Sequence, residues 1–199
     1  MVQSIRNKLT SVYNNEALRF IVVFFILFCI FYYGNKFFFS VVSPDTQYYN
    51  KFFSQHFNYI QGFRSALIIV SASILKLMGY TIMHTDHQIL ALNGIPCNIN
   101  YSCLGLGVMS FWAAFVIAFP KPAKQKMLFM AYGLITIFLL NIVRIVSLTS
   151  LTVEIPNNIR YFSYQHDTFN YTIYLILFTM IYFWIKNQEK AASSNKIAV

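Results

Sequence analysis

Apolar stretches separated by short polar connectors dominate the chain. There are five of them, at about 18–39, 65–80, 103–119, 127–151 and 169–186. At 1.5 Å per residue, a helix needs about 20 apolar residues to cross a hydrocarbon core of about 30 Å. The first, fourth and fifth stretches reach this length, and the third reaches it when extended by a few residues at its start. The pattern therefore predicts an all-α protein, a polytopic bundle of membrane-spanning helices.

The second stretch, 65–80, is the weak member of this series. It is short, contains Lys76 and closely follows Arg64. We therefore predict four transmembrane helices together with one helix that lies in the outer interface or re-enters the membrane there. The alternative is five spans with the N-terminus outside.

Composition supports the same class of protein. The chain is 57% hydrophobic and only 11% charged, whereas soluble domains carry about 25% charged residues. A net charge of +9 would suggest a nucleic-acid partner in a soluble protein. Here the lysines flank apolar runs, so membrane topology explains them and no nucleic-acid partner is expected. Because no repeat, long linker or signal-peptide cleavage site is apparent, we predict a single integral membrane domain over 1–199.

Basic residues set the predicted orientation in the cell membrane (cytoplasmic or inner). The connector 120–126 contains three lysines and no acid, and the tails 1–17 and 187–199 are also basic. Basic segments tend to stay in the cytoplasm. Both tails and the connector are therefore predicted to face inward, and the loops 81–102 and 152–168 to face outward.

In this topology, three chemically distinctive side chains come to the outer side of the membrane. Cys103 begins the third stretch, Arg144 lies near the outer end of the fourth, and His166 directly precedes the fifth. An arginine within a membrane helix costs roughly 2.5–3.5 kcal/mol, so its presence indicates a purpose. A thiolate is stabilised by a nearby cation, and a histidine can take up and return a proton. The combination predicts acyl transfer from a peptide bond through a thioester.

Helical spacing adds supporting residues to this predicted site. One face of the fourth stretch is polar: Asn141, Arg144 and Ser147. One face of the third carries small residues: Cys103, Gly107, Ser110 and Ala114. Small residues allow close helix approach, so we expect these two faces to pack together. His166 and Asn170 would then close the pocket.

Each of these residues also has a purely structural interpretation. An isolated cysteine in a membrane helix usually contributes packing, and a histidine in an outer loop is usually solvated. Arg144 is close enough to a helix end for its side chain to reach the interface. Only the joint placement of the three favours catalysis.

Three segments resemble the motif blocks of the exosortase/archaeosortase family. They read NYSCLGLGVMSFW, NIVRI and YQHDTFNY, and the resemblance extends over roughly 60–185. It implies a polytopic membrane cysteine transpeptidase that cleaves C-terminal sorting signals of exported proteins and passes the new carboxyl end to an acceptor. It also implies that Cys103 is the nucleophile, Arg144 its electrostatic partner and His166 the base, with Asn141 in support. The expected partners are sorting tails, an acceptor nucleophile and the lipid bilayer.

Two features depart from the family's pattern. Leu104 follows the cysteine where many members have serine, which puts any role of that hydroxyl in doubt. The chain also resembles a short form, and we expect an N-terminal set of helices found in longer members to be absent.

A metal-binding or transport role is one alternative. The cluster His84, Asp86 and His87, with Cys97 and Cys103 nearby, offers ligands suited to zinc or copper. The spacing of these residues is not typical of a metal site, and a metal-binding role would leave Arg144 unexplained. We therefore expect neither a metal nor another cofactor. A redox role would pair Cys97 with Cys103, but we expect Cys103 to be reduced.

A non-enzymatic membrane assembly factor is the remaining alternative. All six acidic residues lie outside the apolar stretches, so Arg144 would then pair with an acid of a partner. Such a factor should tolerate Cys103→Ala, whereas a thiol transpeptidase should not.

Overall fold

Helices form the frame of the molecule. The structure, a computed structural model, describes residues 15–44, 46–154 and 169–186. Its elements in these ranges are, in order, α1 (Glu16–Val42), α2 (Lys51–His56), α3 (Tyr59–Leu77), β1 (Ile82–His84), β2 (Gln88–Ala91), β3 (Cys97–Asn98), a 3-10 turn (Tyr101–Leu104), α4 (Leu106–Ala118), α5 (Ala123–Glu154) and α6 (Phe169–Lys186).

By length and composition, four helical segments of the described chain could cross a membrane. They are Glu16–Val42, Lys51–Leu77, Ala123–Glu154 and Phe169–Lys186. The predicted polytopic all-α bundle is therefore confirmed, and the number of such segments equals the four predicted spans. The four segments are not the same four that the sequence predicted. Segment 51–77 is long enough to span, whereas α4, with 13 residues, is not. Helix α4 is short because Gly105, which precedes it, adopts a left-handed conformation and Pro120 follows its C-cap residue.

The helices pack in two layers along α5. Helix α4 packs against α1 and against the N-terminal half of α5, where the Trp112 ring covers Gly133. Helix α3 packs along the C-terminal half of α5, and just beyond its end the Tyr80 hydroxyl donates to a Glu154 carboxylate oxygen at 3.3 Å. Helices α4 and α3 thus follow one another along α5 instead of lying side by side.

Each layer has its own apolar core. The core around α3 and the C-terminal half of α5 includes Leu67, Leu75, Ile89, Ile99, Ile142 and Ile145. The core around α4, α6 and the N-terminal half of α5 includes Trp112, Val116, Phe129, Ile137, Ile173 and Leu177. Because lipid tails are as apolar as these side chains, close packing is what favours association of the spanning helices.

A small antiparallel sheet occupies most of the segment 81–102, which was predicted only as a loop. Strand β2 is central: Ile89 pairs with His84 of β1 on one side and with Cys97 of β3 on the other. The sheet packs on α5, where an added Cβ on Gly94 would lie 2.7 Å from the Thr152 hydroxyl. The sheet therefore holds the segment that precedes Cys103 against α5.

Candidate active site

The turn that carries Cys103 lies between the sheet and α4. Its backbone N–H donates to the Asn100 carbonyl at 2.9 Å, closing the 3-10 turn. Gly105 then adopts φ +70°, ψ 14°, a left-handed conformation that glycine adopts without strain. Cys103 is consequently in the turn before α4 rather than on that helix. It is partly buried against the core around α3.

Asn141 and Arg144 lie on the buried face of α5, as their spacing predicted. They are 1% and 2% exposed. The Asn141 amide donates to the Leu104 carbonyl at 3.3 Å and so ties the Cys103 turn to α5. In the described part of the chain, Nε and Nη2 of Arg144 are buried without a hydrogen-bond acceptor. A buried guanidinium is costly while its donors lack acceptors, so an acceptor bound at these two nitrogens would be stabilising.

A pocket of about 410 Å³ opens beside Arg144. Residues from α1, the turn, α4, α5 and α6 line it, among them Tyr32, Tyr101, Asn141, Arg144, Asn170 and Tyr174. Ser102 and Gly105 also line it, whereas Cys103 does not. The structure thus brings Asn141, Arg144 and Asn170 to one pocket. The prediction that the Cys103 thiol would line the same pocket as Arg144 was wrong, because Cys103 packs against the core around α3 and only its neighbour Ser102 reaches the wall.

Two predicted residues remain, Ser147 and His166. Ser147 is partly buried farther along α5 and is not a lining residue. His166 lies outside the described residues, so its role stays a prediction.

The small-residue face of α4 packs against α1, so the prediction that it would pack against the polar face of α5 was wrong. The Ser110 hydroxyl accepts a hydrogen bond from the Asn35 amide at 3.0 Å, and an added Cβ on Gly107 would lie 3.4 Å from the Tyr32 ring. The physical reason is the shape of the partners. Helix α1 presents bulky aromatic rings that fit over small residues, whereas α5 offers Gly133 as a recess for Trp112.

Cys97 is a second thiol in this neighbourhood, and it was not among the predicted catalytic residues. Burial raises the pKa of Cys97 and the adjacent Cys103 raises it further, while the nearby Thr149 hydroxyl and Arg144 guanidinium lower it. Both cysteines are free thiols. Only the pairing of β3 with β2 brings Cys97 to α5, and a two-residue strand leaves no periodic signal in the sequence.

The proposed metal-ligand cluster forms the tip of the β1–β2 hairpin. Arg64 Nη1 donates to His87 Nδ1 at 2.5 Å, so this ring nitrogen acts as an acceptor. Among the described residues, no three His, Cys, Asp or Glu side chains are grouped to hold a metal ion. Because His87 at the hairpin tip accepts a hydrogen bond from Arg64, the described contacts give no support to the metal-binding alternative.

The fold and pocket define a polytopic α-helical membrane protein with a buried arginine beside a cysteine-bearing turn. A family model described as transmembrane exosortase matches residues 4–184 of the 199. The chain therefore belongs to the transmembrane exosortase family, which confirms the resemblance and supports a transpeptidase-type role in general. The match includes α1, which the predicted core of 60–185 omitted. No curated protein and no solved structure matches the chain.

Proposed function

We propose that this protein is a membrane-embedded cysteine peptidase or transpeptidase that cleaves C-terminal sorting signals of exported proteins on the extracytoplasmic side. Family membership supports a membrane transpeptidase-type role. The observation that supports the finer statement is the guanidinium of Arg144, which is buried in a pocket with two donor nitrogens unpartnered in the described chain. The turn bearing Cys103 flanks that pocket.

In the proposed first half-reaction, the Cys103 thiolate attacks the scissile carbonyl carbon. A C–S bond forms, and the carbonyl electron pair moves onto oxygen. Collapse of this intermediate breaks the C–N bond, and His166 protonates the departing amine. The product is a thioester on Cys103. An acceptor nucleophile, or water, then attacks the thioester carbonyl carbon and gives its proton to His166. A bond to this nucleophile forms and the C–S bond breaks, which passes the new carboxyl end to the acceptor, or frees it as a carboxylate, and restores the thiolate.

Arg144 would stabilise negative charge in both half-reactions. Its unpartnered nitrogens can donate to a thiolate or to the oxyanion, and such bonds are strong where water is excluded. Loss of one comparable donor typically lowers kcat about 10²–10³-fold. Asn141 supports this arrangement because its amide fixes the Cys103 turn against α5.

The pocket walls suit a membrane-threaded tail as substrate. Besides its polar groups, the pocket is lined by apolar side chains such as Phe28, Phe111, Ile137 and Ile173. These come from four helices, so an apolar segment entering between helices would meet matching surface. Asn170, at the start of α6, would lie beside the bound chain.

The experiment that tests this proposal is processing of C-terminally tagged exported proteins in cells. Full-length wild type, Cys103→Ala and a matched control, Cys29→Ala, would be compared at equal membrane levels. Cys29 is an exposed thiol on α1, so its loss should leave processing unchanged. Uncleaved precursor should accumulate with Cys103→Ala. Cys97→Ser should process normally.

Normal processing with Cys103→Ala would contradict the proposal and favour an assembly factor. Loss of processing with Cys97→Ser alone would assign the reactive thiol to β3. A topology measurement that placed His166 on the cytoplasmic side would also overturn the mechanism.

A further inference from the structure

A second arginine, Arg64, is buried away from the Arg144 pocket. It lies near the start of α3 and is 7% exposed. Its Nη1 donates to Gln61 Oε1 at 2.7 Å and to His87 Nδ1 at 2.5 Å. Its Nε is buried and has no acceptor in the described part of the chain. Both acceptors that it does have are neutral, so they leave its charge unbalanced.

A separate cavity of about 270 Å³ opens beside Arg64. Its polar lining includes Ser54, Asn58 and His87, which can supply further hydrogen bonds. Asp86 also lines it, but this residue is exposed, and its fixed contact is a backbone one, from Gln61 Nε2 to the carbonyl at 3.1 Å. Apart from the exposed Asp86, the polar groups that line the cavity with this buried cation are neutral, so an oxyanion ligand would balance its charge.

The position of this cavity in the fold indicates the source of the oxyanion. The cavity lies where α1 ends, and Val42, Ser43 and Pro44 contribute to its wall. Around it, the segment that connects α1 with α3, together with the first residue of α3, exposes a set of aromatic side chains: Tyr48, Tyr49, Phe52, Phe53, Phe57 and Tyr59. Exposed aromatic rings at the end of a membrane helix are typical of the headgroup level of a bilayer, where the available oxyanion is a lipid phosphate.

We propose that Arg64 and its cavity bind the phosphate of a phospholipid headgroup, with the exposed aromatic segment at the level of that headgroup. Arginine binds phosphate through directed, charge-assisted hydrogen bonds, and Nε is the donor still unused. The lipid is a bound ligand that undergoes no reaction. Phe39 lines this cavity and its ring packs at a tilt against Tyr101, which lines the Arg144 pocket, with ring centroids 4.7 Å apart. The lipid site therefore shares a wall with the candidate active site.

Native mass spectrometry of the full-length protein in detergent tests this inference. Phosphatidylglycerol would be titrated against diacylglycerol with the same acyl chains, which lacks the phosphate. The variants are Arg64→Gln and the matched control Lys76→Gln, which removes an exposed charge from the same helix. Ser54→Leu narrows the cavity and leaves Arg64 in place, so it serves if Arg64→Gln fails to fold. Inorganic phosphate alone forms a separate arm.

Wild type and Lys76→Gln should retain phosphatidylglycerol but not diacylglycerol, and Arg64→Gln and Ser54→Leu should each weaken retention at least tenfold. Inorganic phosphate that binds alone and displaces the lipid would support the phosphate site and assign it to a soluble phosphate. Equal retention of both lipids, or unchanged retention in folded Arg64→Gln, would overturn the inference. So would preferential retention of an acidic peptide that is added in competition with phosphatidylglycerol. Because the readout is lipid binding, failure here leaves the proposed peptidase activity untouched.

Discussion

Gly105 and Asn141 are in such close contact that an added Cβ on the glycine would lie 2.5 Å from the asparagine amide nitrogen. That same amide nitrogen donates to the carbonyl of Leu104. The Asn141 side chain thus leaves room only for a glycine after the Cys103 turn, and its hydrogen bond holds that turn against α5. The position of Cys103 relative to Arg144 depends on this contact.

We expect Gly105→Ala to destabilise the protein and abolish processing. A left-handed backbone costs a non-glycine residue about 1–2 kcal/mol, and contact with Asn141 adds to this cost. Unfolding in detergent, followed by circular dichroism, measures the change. Gly62→Ala, in the interior of α3 with open space around it, is the control and should be neutral or stabilising by up to about 1 kcal/mol. If Gly105→Ala and Gly62→Ala were equally stable, Gly105 would not be constrained by its backbone conformation or by Asn141.

Gly133→Ala should disrupt the packing of α4 on α5. The new methyl group would overlap the Trp112 indole ring, and overpacking of this kind typically costs about 1–3 kcal/mol. Gly34→Ala, on α1 with nothing near its added Cβ, should have little effect.

A double-mutant cycle with Trp112→Leu tests the cause of that destabilisation. Removal of the ring should relieve the overlap, so the two substitutions should be strongly non-additive in the free energy of unfolding. Additive effects would show that Gly133→Ala destabilises the protein for a reason other than overlap with the Trp112 ring.

Arg144→Met should separate stability from activity. The buried guanidinium has donors without acceptors in the described chain, so an apolar side chain of similar length should raise the unfolding midpoint. Processing should fall about 10²–10³-fold, the typical effect of one lost oxyanion donor. Arg144→Lys should retain part of the activity because it keeps the charge but loses the planar guanidinium. A lower unfolding midpoint in Arg144→Met would instead identify Arg144 as a structural residue.

Removal of Cys103 should make Cys97 more reactive. Burial and the neighbouring Cys103 raise the pKa of the Cys97 thiol, so less of it is thiolate at a given pH. In a Cys29→Ser background, Cys103→Ser should shift the pH profile of Cys97 alkylation to lower pH, because one of the two causes is gone. Rates of iodoacetamide labelling, read by peptide mass spectrometry, provide the test. An unchanged profile would mean that the thiols do not interact.

The sequence by itself determined the class of protein, most helices and the polar face of α5. Long apolar runs can satisfy their backbone hydrogen bonds in a membrane only as helices or closed barrels, and their continuous hydrophobicity favours helices. Three-residue spacing places Asn141 and Arg144 on one helical face in any fold. The motif blocks around Cys103 and Arg144 were likewise sufficient to indicate the family.

Only the tertiary structure decided which faces meet. The partner of Gly107 and Ser110 depended on the shapes of α1 and α5 together, and no single helix carries that information. The sheet that brings Cys97 toward Arg144 uses strands of two to four residues, too short for a periodic pattern to be read. The burial of Arg64 arises from contact with His87 of a distant hairpin. Local sequence fixes the conformation of a segment, whereas the fit between segments depends on side chains that are far apart in the chain.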